Sequence, residues 1–377
     1  MPDVELEYKV IRRLGASQSG PIKSLQFSAD GQKLATGGSN GSLCIWSLQH
    51  FQLLHQINAG SPVLSLLWIG KTQILAGLGN GTLLAVSETQ AELYIEGHEP
   101  GDHGSRVEFI AADQPMEHLA VGGGNTISLW SLSRGANSQT WKTEPLMVFP
   151  SPPIPHTAVD KAVVVTGIHW DRSSGEKASR KQLFTGFLHH GIILSSVVNQ
   201  DGKLRVDSLR VCLVPSELAS FSFSPDYTSF VIADLKGSFT LLQYPSNVEI
   251  QHFEPHDPHS KRLIPSAIIH GGNALLGANK SGRLMLWDCV DGDCLQVLSH
   301  EDPVHVFTAF YDEHAFWIAS GTSGPDTRAN IYLWHVAEPG SADNTSTKLG
   351  SSFALTTFLT VVPPFLLLGF TKGSLPS

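Results

Sequence analysis

Residues 37–41, Gly-Gly-Ser-Asn-Gly, match the pattern G-x-S-x-G. In α/β-hydrolases that pattern holds a serine nucleophile on a sharp turn between a strand and a helix. The chain has 35 glycines, so a pattern this short recurs by chance and its surroundings decide its meaning. The segment HFEPHDPH, 252–259, gathers His252, His256 and His259 beside Asp257, all of them metal-binding residue types. Its prolines deny it the i, i+4 histidine spacing of a metal-binding helix. Cys289 and Cys294 make a C-x4-C pair with no second pair and no suitably spaced histidine, short of a four-ligand zinc set. The GGGN at 122–125 is followed by neither the Lys-Ser/Thr pair nor the helix of a phosphate loop. No cofactor or metal is expected from these patterns.

Composition narrows the classes further. In 377 residues, 41% are hydrophobic and 16% charged, a folding composition and not a disordered one. The net charge is −9 with 25 Lys+Arg and no long basic run, which argues against a broad nucleic-acid surface. The opening MPDVELEYKVIRR is charged throughout and lacks the apolar stretch of a signal peptide. A cytoplasmic location is therefore expected. The four cysteines, Cys44, Cys212, Cys289 and Cys294, are expected to be reduced, and the sequons at Asn40, Asn80, Asn279 and Asn344 unmodified.

The elements around these residues repeat. KLATGGSNGSLCIWSL (33–48) reads as a strand, a tight Asn-Gly turn and an alternating strand ending in Trp46. Copies begin at 73, 118, 182, 229, 274 and 315, which makes seven units. Their turn residues, Gly41, Gly81, Asn125, Gly191, Gly237, Gly282 and Ala329, lie 40 to 47 residues apart except for one step of 66. Trp46, Trp130, Trp287 and Trp334 share the later position, which Val86, Ser196 and Leu242 take in the other units. A short apolar strand precedes each hairpin and a fourth follows most of them. Four strands per unit, with Gly, Asn and Asp in the turns, predicts an all-β, seven-bladed β-propeller. Ser39 then lies in a hairpin between two strands, where a nucleophile elbow does not form.

The chain resembles the WD40-repeat proteins over residues 4–338, with blades near 21–60, 61–104, 105–142, 161–214, 217–256, 262–302 and 303–338. Only Trp287-Asp288 is a literal Trp-Asp pair, and Gly97-His98 is the one Gly-His pair at a blade junction; His256 and His300 stand at equivalent junctions. The resemblance implies a His, Ser/Thr, Asp, Trp hydrogen-bonded set within a blade. Asn40 and Asn80 stand where its Asp is expected, so most sets should be incomplete. It also implies that residues 4–14 close the last blade, leaving no open edge on the ring. Two insertions fill the long step: 143–160, with five prolines, expected as an extended surface loop, and the charged 171–182, expected at a hairpin tip.

By resemblance the function is a non-catalytic scaffold for protein–protein interaction, with other proteins as partners. Loop positions around Ser19, Trp68, His103, Trp170, Tyr227 and Arg262 are the candidate interaction surface. The other reading is a propeller hydrolase or lactonase with a metal or polar site in the central channel. Its ionisable candidates on the inner strands are His169 and His270. Residues 339–377 form a linker and a hydrophobic tail. The stretch 353–370 carries no charge over its length, just enough for a membrane span if flanking residues help. Pro363-Pro364 weigh against a helix there, so an apolar tail that packs on the propeller or hangs loose is preferred to a membrane anchor.

Overall fold

The computed structural model describes residues 7–15, 20–88, 93–97, 105–134, 141–154, 158–171, 180–200, 203–212, 214, 217–254, 265–278, 283–312, 316–322 and 330–336. The tail, 338–377, separates as its own unit and lies outside the described residues, as do residues 172–179 of the expected insertion 171–182, whose last three residues open a strand, and His256, Asp257 and His259.

Seven four-stranded antiparallel sheets follow one another. Blade one holds β2 (Ile22–Phe27), β3 (Lys33–Gly38), β4 (Ser42–Ser47) and β5 (Gln52–Asn58). Blade two holds β6 (Val63–Ile69), β7 (Gln73–Leu78), β8 (Leu83–Glu88) and β9 (Leu93–Gly97). Blade three holds β10 (Phe109–Ala112), β11 (His118–Gly123), β12 (Thr126–Arg134) and β13 (Trp141–Val148). Blade four holds β14 (Val165–Trp170), β15 (Arg180–Phe187), β16 (Gly191–Gln200) and β17 (Lys203–Cys212). Blade five holds β18 (Leu218–Phe223), β19 (Ser229–Asp234), β20 (Phe239–Gln243) and β21 (Glu249–Phe253). Blade six holds β22 (Ser266–Ile269), β23 (Ala274–Ala278), β24 (Leu284–Asp288) and β25 (Cys294–Leu298). Blade seven holds β26 (Val304–Tyr311), β27 (Phe316–Thr322), β28 (Ile331–Val336) and, outermost, β1 (Tyr8–Leu14).

The first strands make the inner ring, β2 beside β6, β6 beside β10, β10 beside β14, β14 beside β18, β18 beside β22, and β26 beside β2. The second and third strands are the apolar filling, with β4 and β7 buried along their whole length. Hydrophobic clusters lie in the seams between sheets: Trp46 of β4 packs with Ala319 and Ile331 of blade seven, and Trp130 of β12 with Ile69 and Leu75 of blade two. The tight second-to-third-strand turns need a left-handed residue, and Gly41 and Gly81 supply it at φ +83° and +89°.

The ring closes through the N-terminal strand. β1 pairs antiparallel with β28 from Tyr8 opposite Val336 to Leu14 opposite Ile331. Two pins tie it to blade six as well: the Gln296 amide bonds both the N–H and the C=O of Tyr8 (2.9 and 2.8 Å), and the Tyr8 hydroxyl lies 2.8 Å from His270 Nε2.

Two expectations are corrected. The segment 143–160 is not a loop throughout, because β13 runs to Val148 as the fourth strand of blade three. Pro145 is tolerated because β13 is an outer strand and Pro145 sits at a bulge opposite Trp130. In blade four the bulge against the fourth strand that precedes Trp46, Trp130, Leu242, Trp287 and Trp334 precedes Val197. In the pairing with the second strand, Leu34, Leu119, Phe230, Leu275 and Ile318 stand opposite Trp46, Trp130, Leu242, Trp287 and Trp334, and their blade-four equivalent Leu183 stands opposite Ser195, so Ser195 takes the Trp position there and Ser196 does not.

Removing residues 1–14 opens blade seven and leaves β28 as an unpaired edge. The truncated chain should lose its single cooperative melting transition in calorimetry and elute as aggregate; a truncation that melts like the full chain refutes this account of closure.

Candidate functional site

A meander of four strands puts its turns at two ends. The turns between second and third strands share one end with the connections between blades. Those between first and second, and third and fourth, share the other. At the first end Asn40 Oδ1 accepts hydrogen bonds from the Ser42 N–H and hydroxyl (3.0 and 2.7 Å), and Asn80 Oδ1 accepts from the Thr82 N–H at 3.1 Å. Asp234 Oδ1 does the same for the N–H groups of Gly237 and Ser238. The Asx residue of the hairpin is thus spent on its own turn. The Ser39 N–H donates to Pro21 O at 2.9 Å, so Ser39 is a turn residue. Asn40, Asn80 and Asn125 stand exposed at the apices of blades one to three.

Of the expected interaction positions, Ser19, His103 and Arg262 lie outside the described residues. Trp68, Trp170 and Tyr227 lie at the opposite end, where first strands finish, and face the seams. Trp68 is 5% exposed and its indole N–H donates to Gln26 O of blade one at 3.0 Å. Trp170 is 3% exposed and donates to Ala111 O of blade three at 3.0 Å. The Tyr227 hydroxyl donates back to Trp170 O at 2.7 Å, and its ring stacks on Phe223. Tyr227 has φ +57°, at a turn position that blade one gives to Gly31 at φ +66°. Its side-chain pin to blade four offsets that strain.

The two histidines that an enzymatic channel would use are likewise engaged. His169 Nε2–H reaches Phe221 O of blade five at 3.2 Å, with the ring edge-on to Phe221. His270 meets Tyr8 and packs near Phe316, and burial lowers its pKa below the usual imidazole value.

Sequence reading missed one cluster of ligand types, Asp113, Glu117 and His118. Asp113 is 4% exposed and accepts from the N–H groups of Glu117 and His118 and from His118 Nδ1–H at 2.9 Å. Lys181 of blade four places its ammonium 2.5 Å from Asp113 and 2.8 Å from Glu117. Burial by itself would raise the Asp113 pKa; the bonds from His118, Lys181 and the backbone outweigh it and bring the carboxyl to about 2. The ammonium already supplies the cation such a cluster would attract, so the group is an inter-blade lock. All four cysteines are free, and the Cys289 thiol is buried, its pKa pushed up to about 12 by burial and by Asp288.

Among the described residues, blade seven carries the fullest hydrogen-bonded set. His300 Nδ1–H donates to Leu298 O at 2.9 Å, which leaves Nε2 to accept from the Ser320 hydroxyl at 2.6 Å. The Trp334 indole N–H donates to Ser320 Oγ at 3.0 Å. Blade one keeps Trp46 N–H to Thr36 Oγ1 at 3.1 Å, and in blade three Trp130 turns to Ser128 of its own strand at 2.8 Å. Burial lowers His300 to about 4 against the opposing pull of the Leu298 carbonyl.

Seven four-stranded sheets and a ring closed by the first strand make a seven-bladed β-propeller. A model of the family described as WD domain, G-beta repeat matches residues 8–47, the stretch from β1 through β4. The structure is thus a seven-bladed β-propeller in which residues 8–47 match one WD40 repeat. No curated protein matches it.

Three outcomes follow from these contacts. Lys181→Met leaves a buried carboxylate without its cation and should cost about 3 kcal/mol in chemical denaturation; an unchanged midpoint would show that the lock is not used. Ser39→Ala should change stability by less than about 1 kcal/mol and should abolish no fluorophosphonate labelling, because the wild type takes none at that residue. His300 folds with a depressed pKa, so the unfolded chain binds more protons between about pH 6.5 and 4. Its contribution is whole above the unfolded pKa of about 6.5 and falls away as the pH drops toward 4, with a slope of at most about 1.4 kcal/mol per pH unit. His300→Asn should flatten the denaturation profile in that window, and an identical profile would place the titration elsewhere.

Proposed function

We propose that the propeller is a non-catalytic scaffold whose hairpin-turn end binds other proteins. The supporting observation is the division of polar groups. The histidines and carboxylates that could do chemistry, His169, His270 and Asp113, are bound into the seams between blades. Asn40, Asn80 and Asn125 are left exposed on neighbouring apices beside glycines, a neutral surface on which a partner can reach the backbone. WD40 propellers commonly serve as interaction scaffolds, and this reading extends that role to this chain. Fold alone supports a class of function and not a partner.

Affinity purification of the full chain should retain proteins at stoichiometric levels. The Asn40→Arg, Asn80→Arg, Asn125→Arg triple variant should lose them while melting as the wild type does. Replacing 150–154 by Gly and Ser tests the Pro-rich connection without removing β13. Absence of any stoichiometric partner, together with bound calcium or zinc in elemental analysis and ester or lactone hydrolysis, would favour the enzymatic reading.

We propose a cytoplasmic location, in keeping with four free cysteines, and treat 353–370 as an apolar tail. No helix among the described residues is long and apolar enough to cross a membrane, and the tail lies outside them. Full-length protein should remain in a high-speed supernatant; pelleting with membranes that resists high pH and is abolished by cutting after Gly350 would make the tail an anchor.

A further inference from the structure

The closing strand is anchored at its two ends, because only Tyr8 and Leu14 of β1 are buried. Leu14 sits in an apolar cluster with Ile22 and Ile331, a contact that pH does not alter. The Tyr8 end is held by polar groups of blade six. Gln296 bonds its backbone, and its hydroxyl lies 2.8 Å from His270 Nε2. Among these contacts only the imidazole titrates near neutral pH.

The surroundings of His270 suit its neutral form. Its ring packs against those of Tyr8, Tyr311 and Phe316, with centroids 5.9, 6.3 and 5.2 Å away. Nδ1 is screened from solvent and has no hydrogen-bond partner. A neutral ring accommodates this by carrying its proton on Nε2 and donating it to the Tyr8 oxygen, which leaves only a lone pair at Nδ1. Acid adds the second proton at Nδ1. A cationic N–H then faces no acceptor, which costs more than an unpaired lone pair.

Neighbouring groups offer that proton no relief. β1 brings the Tyr8 phenol, with Glu7 and Lys9 on either side of it in the chain and 3.6 Å from each other. β26 brings the Tyr311 phenol, followed in the chain by Asp312, and β27 brings the bare ring of Phe316. The turn of His270 itself brings Asn273, whose amide donates to His270 O at 3.0 Å. None of these charges bonds to the imidazole, whose pKa is lowered by burial.

We propose that His270 is an acid-operated latch on the ring: protonation at Nδ1 breaks its contact with Tyr8, loosens the Tyr8 end of β1 and uncovers the adjoining edge of β28. The docked strand holds the imidazole neutral, and the released strand lets it ionise. The latch is therefore whole above the free imidazole value of about 6.5 and weakens as the pH falls below it, the opening equilibrium rising by at most about tenfold per pH unit. His300 has no part in it, since its bonds go to Leu298 and Ser320 and none is made to β1. An uncovered β28 edge is a template for an added strand, so acid changes what blade seven can pair with as well as how firmly it closes.

Hydrogen–deuterium exchange of the full chain, read on peptides covering residues 7–14 and corrected for the intrinsic effect of pH on amide exchange, reports this opening. Between about pH 7.5 and about pH 5.5 the corrected exchange of β1 should rise by up to about tenfold, while that of β4 in blade one stays level. His270→Gln keeps a neutral partner for the Tyr8 hydroxyl and should exchange slowly at both values. Tyr8→Phe removes the pin and should exchange fast at both, an independent arm should a substitution at φ +52° disturb the turn of His270. His300→Asn should keep the wild-type rise. A wild-type β1 whose corrected exchange is flat with pH overturns the proposal. So does a rise matched in β4, which is global unfolding, or a rise that survives His270→Gln or Tyr8→Phe in a folded chain.

Discussion

Everything in this propeller depends on how closely one blade can approach the next at the inner ring. A Cβ placed on Gly37 of β3 would lie 2.5 Å from Val63 Cγ1 of blade two, and one on Gly321 of β27 would lie 2.8 Å from Ile22 Cβ of blade one. Both are closer than side-chain atoms can come, so the absent side chain is what lets the first strand of the following blade seat. The same approach is fixed in direction by hydrogen bonds, Ser24 Oγ to Val63 O at 3.1 Å and Ser65 Oγ to Val107 O at 3.0 Å. With a small residue on one strand and an apolar residue with its carbonyl on the next, the angle between sheets is set locally. Closure needs that angle repeated until blade seven meets blade one, which is where Gly321 and Ile22 stand.

Close seams consume polar groups. Each donor or acceptor carried into a seam must find a partner there, because an unpaired buried group costs about 1–3 kcal/mol. The indoles of Trp68 and Trp170, His169, Tyr227 and the Asp113–Lys181 pair all meet that demand across a seam. They are therefore committed to holding the seams. What the ring leaves to solvent are its turn apices and the outer strands, where side chains such as Asn40, Arg205 and Arg210 are exposed.

The sequence discloses the parts of this arrangement that are local. A glycine at a turn that requires positive φ, an alternating strand ending in Trp and a free N-terminal strand can each be read within ten residues. Contacts between blades cannot. Asp113 and Lys181 are separated by 68 residues, and nothing near either one announces the other. Trp68 looked like a surface aromatic because it ends a strand beside a turn, yet the side of the sheet it occupies decides that it points into a seam. β13 was hidden by its prolines, which forbid a central strand and permit an outer one. The blade-four Trp position is shifted by one for a related reason, since Gly191 stands five residues after Gly186 of the second strand whereas Gly41 stands four after Gly37, and counting from the turn glycine carries that offset along the strand.

The family match over residues 8–47 covers β1 to β4, so the repeating unit of sequence is offset by one strand from the blade of the structure. The first unit spends its opening strand on blade seven. That offset makes closure a pairing between distant chain segments, and β1 is a weak strand on its own terms: only Tyr8 and Leu14, at its two ends, are buried. Its hold is improved from outside its own sheet. Gln296 and His270 grip the Tyr8 end. Near the other end Arg13 lies over the Tyr332 ring at 4.7 Å and pairs with Glu301 at 2.6 Å. Tyr332 in turn meets His300 edge-on at 4.8 Å between centroids, and His300 carries the bond to Ser320 and Trp334. The connection entering blade seven, through His300 and Glu301, thus touches both the core of the blade and the strand that closes it. The closing strand is therefore held by one connection that reaches both its own ladder and the buried core of the blade, and its stability depends on that core as much as on its pairing with β28.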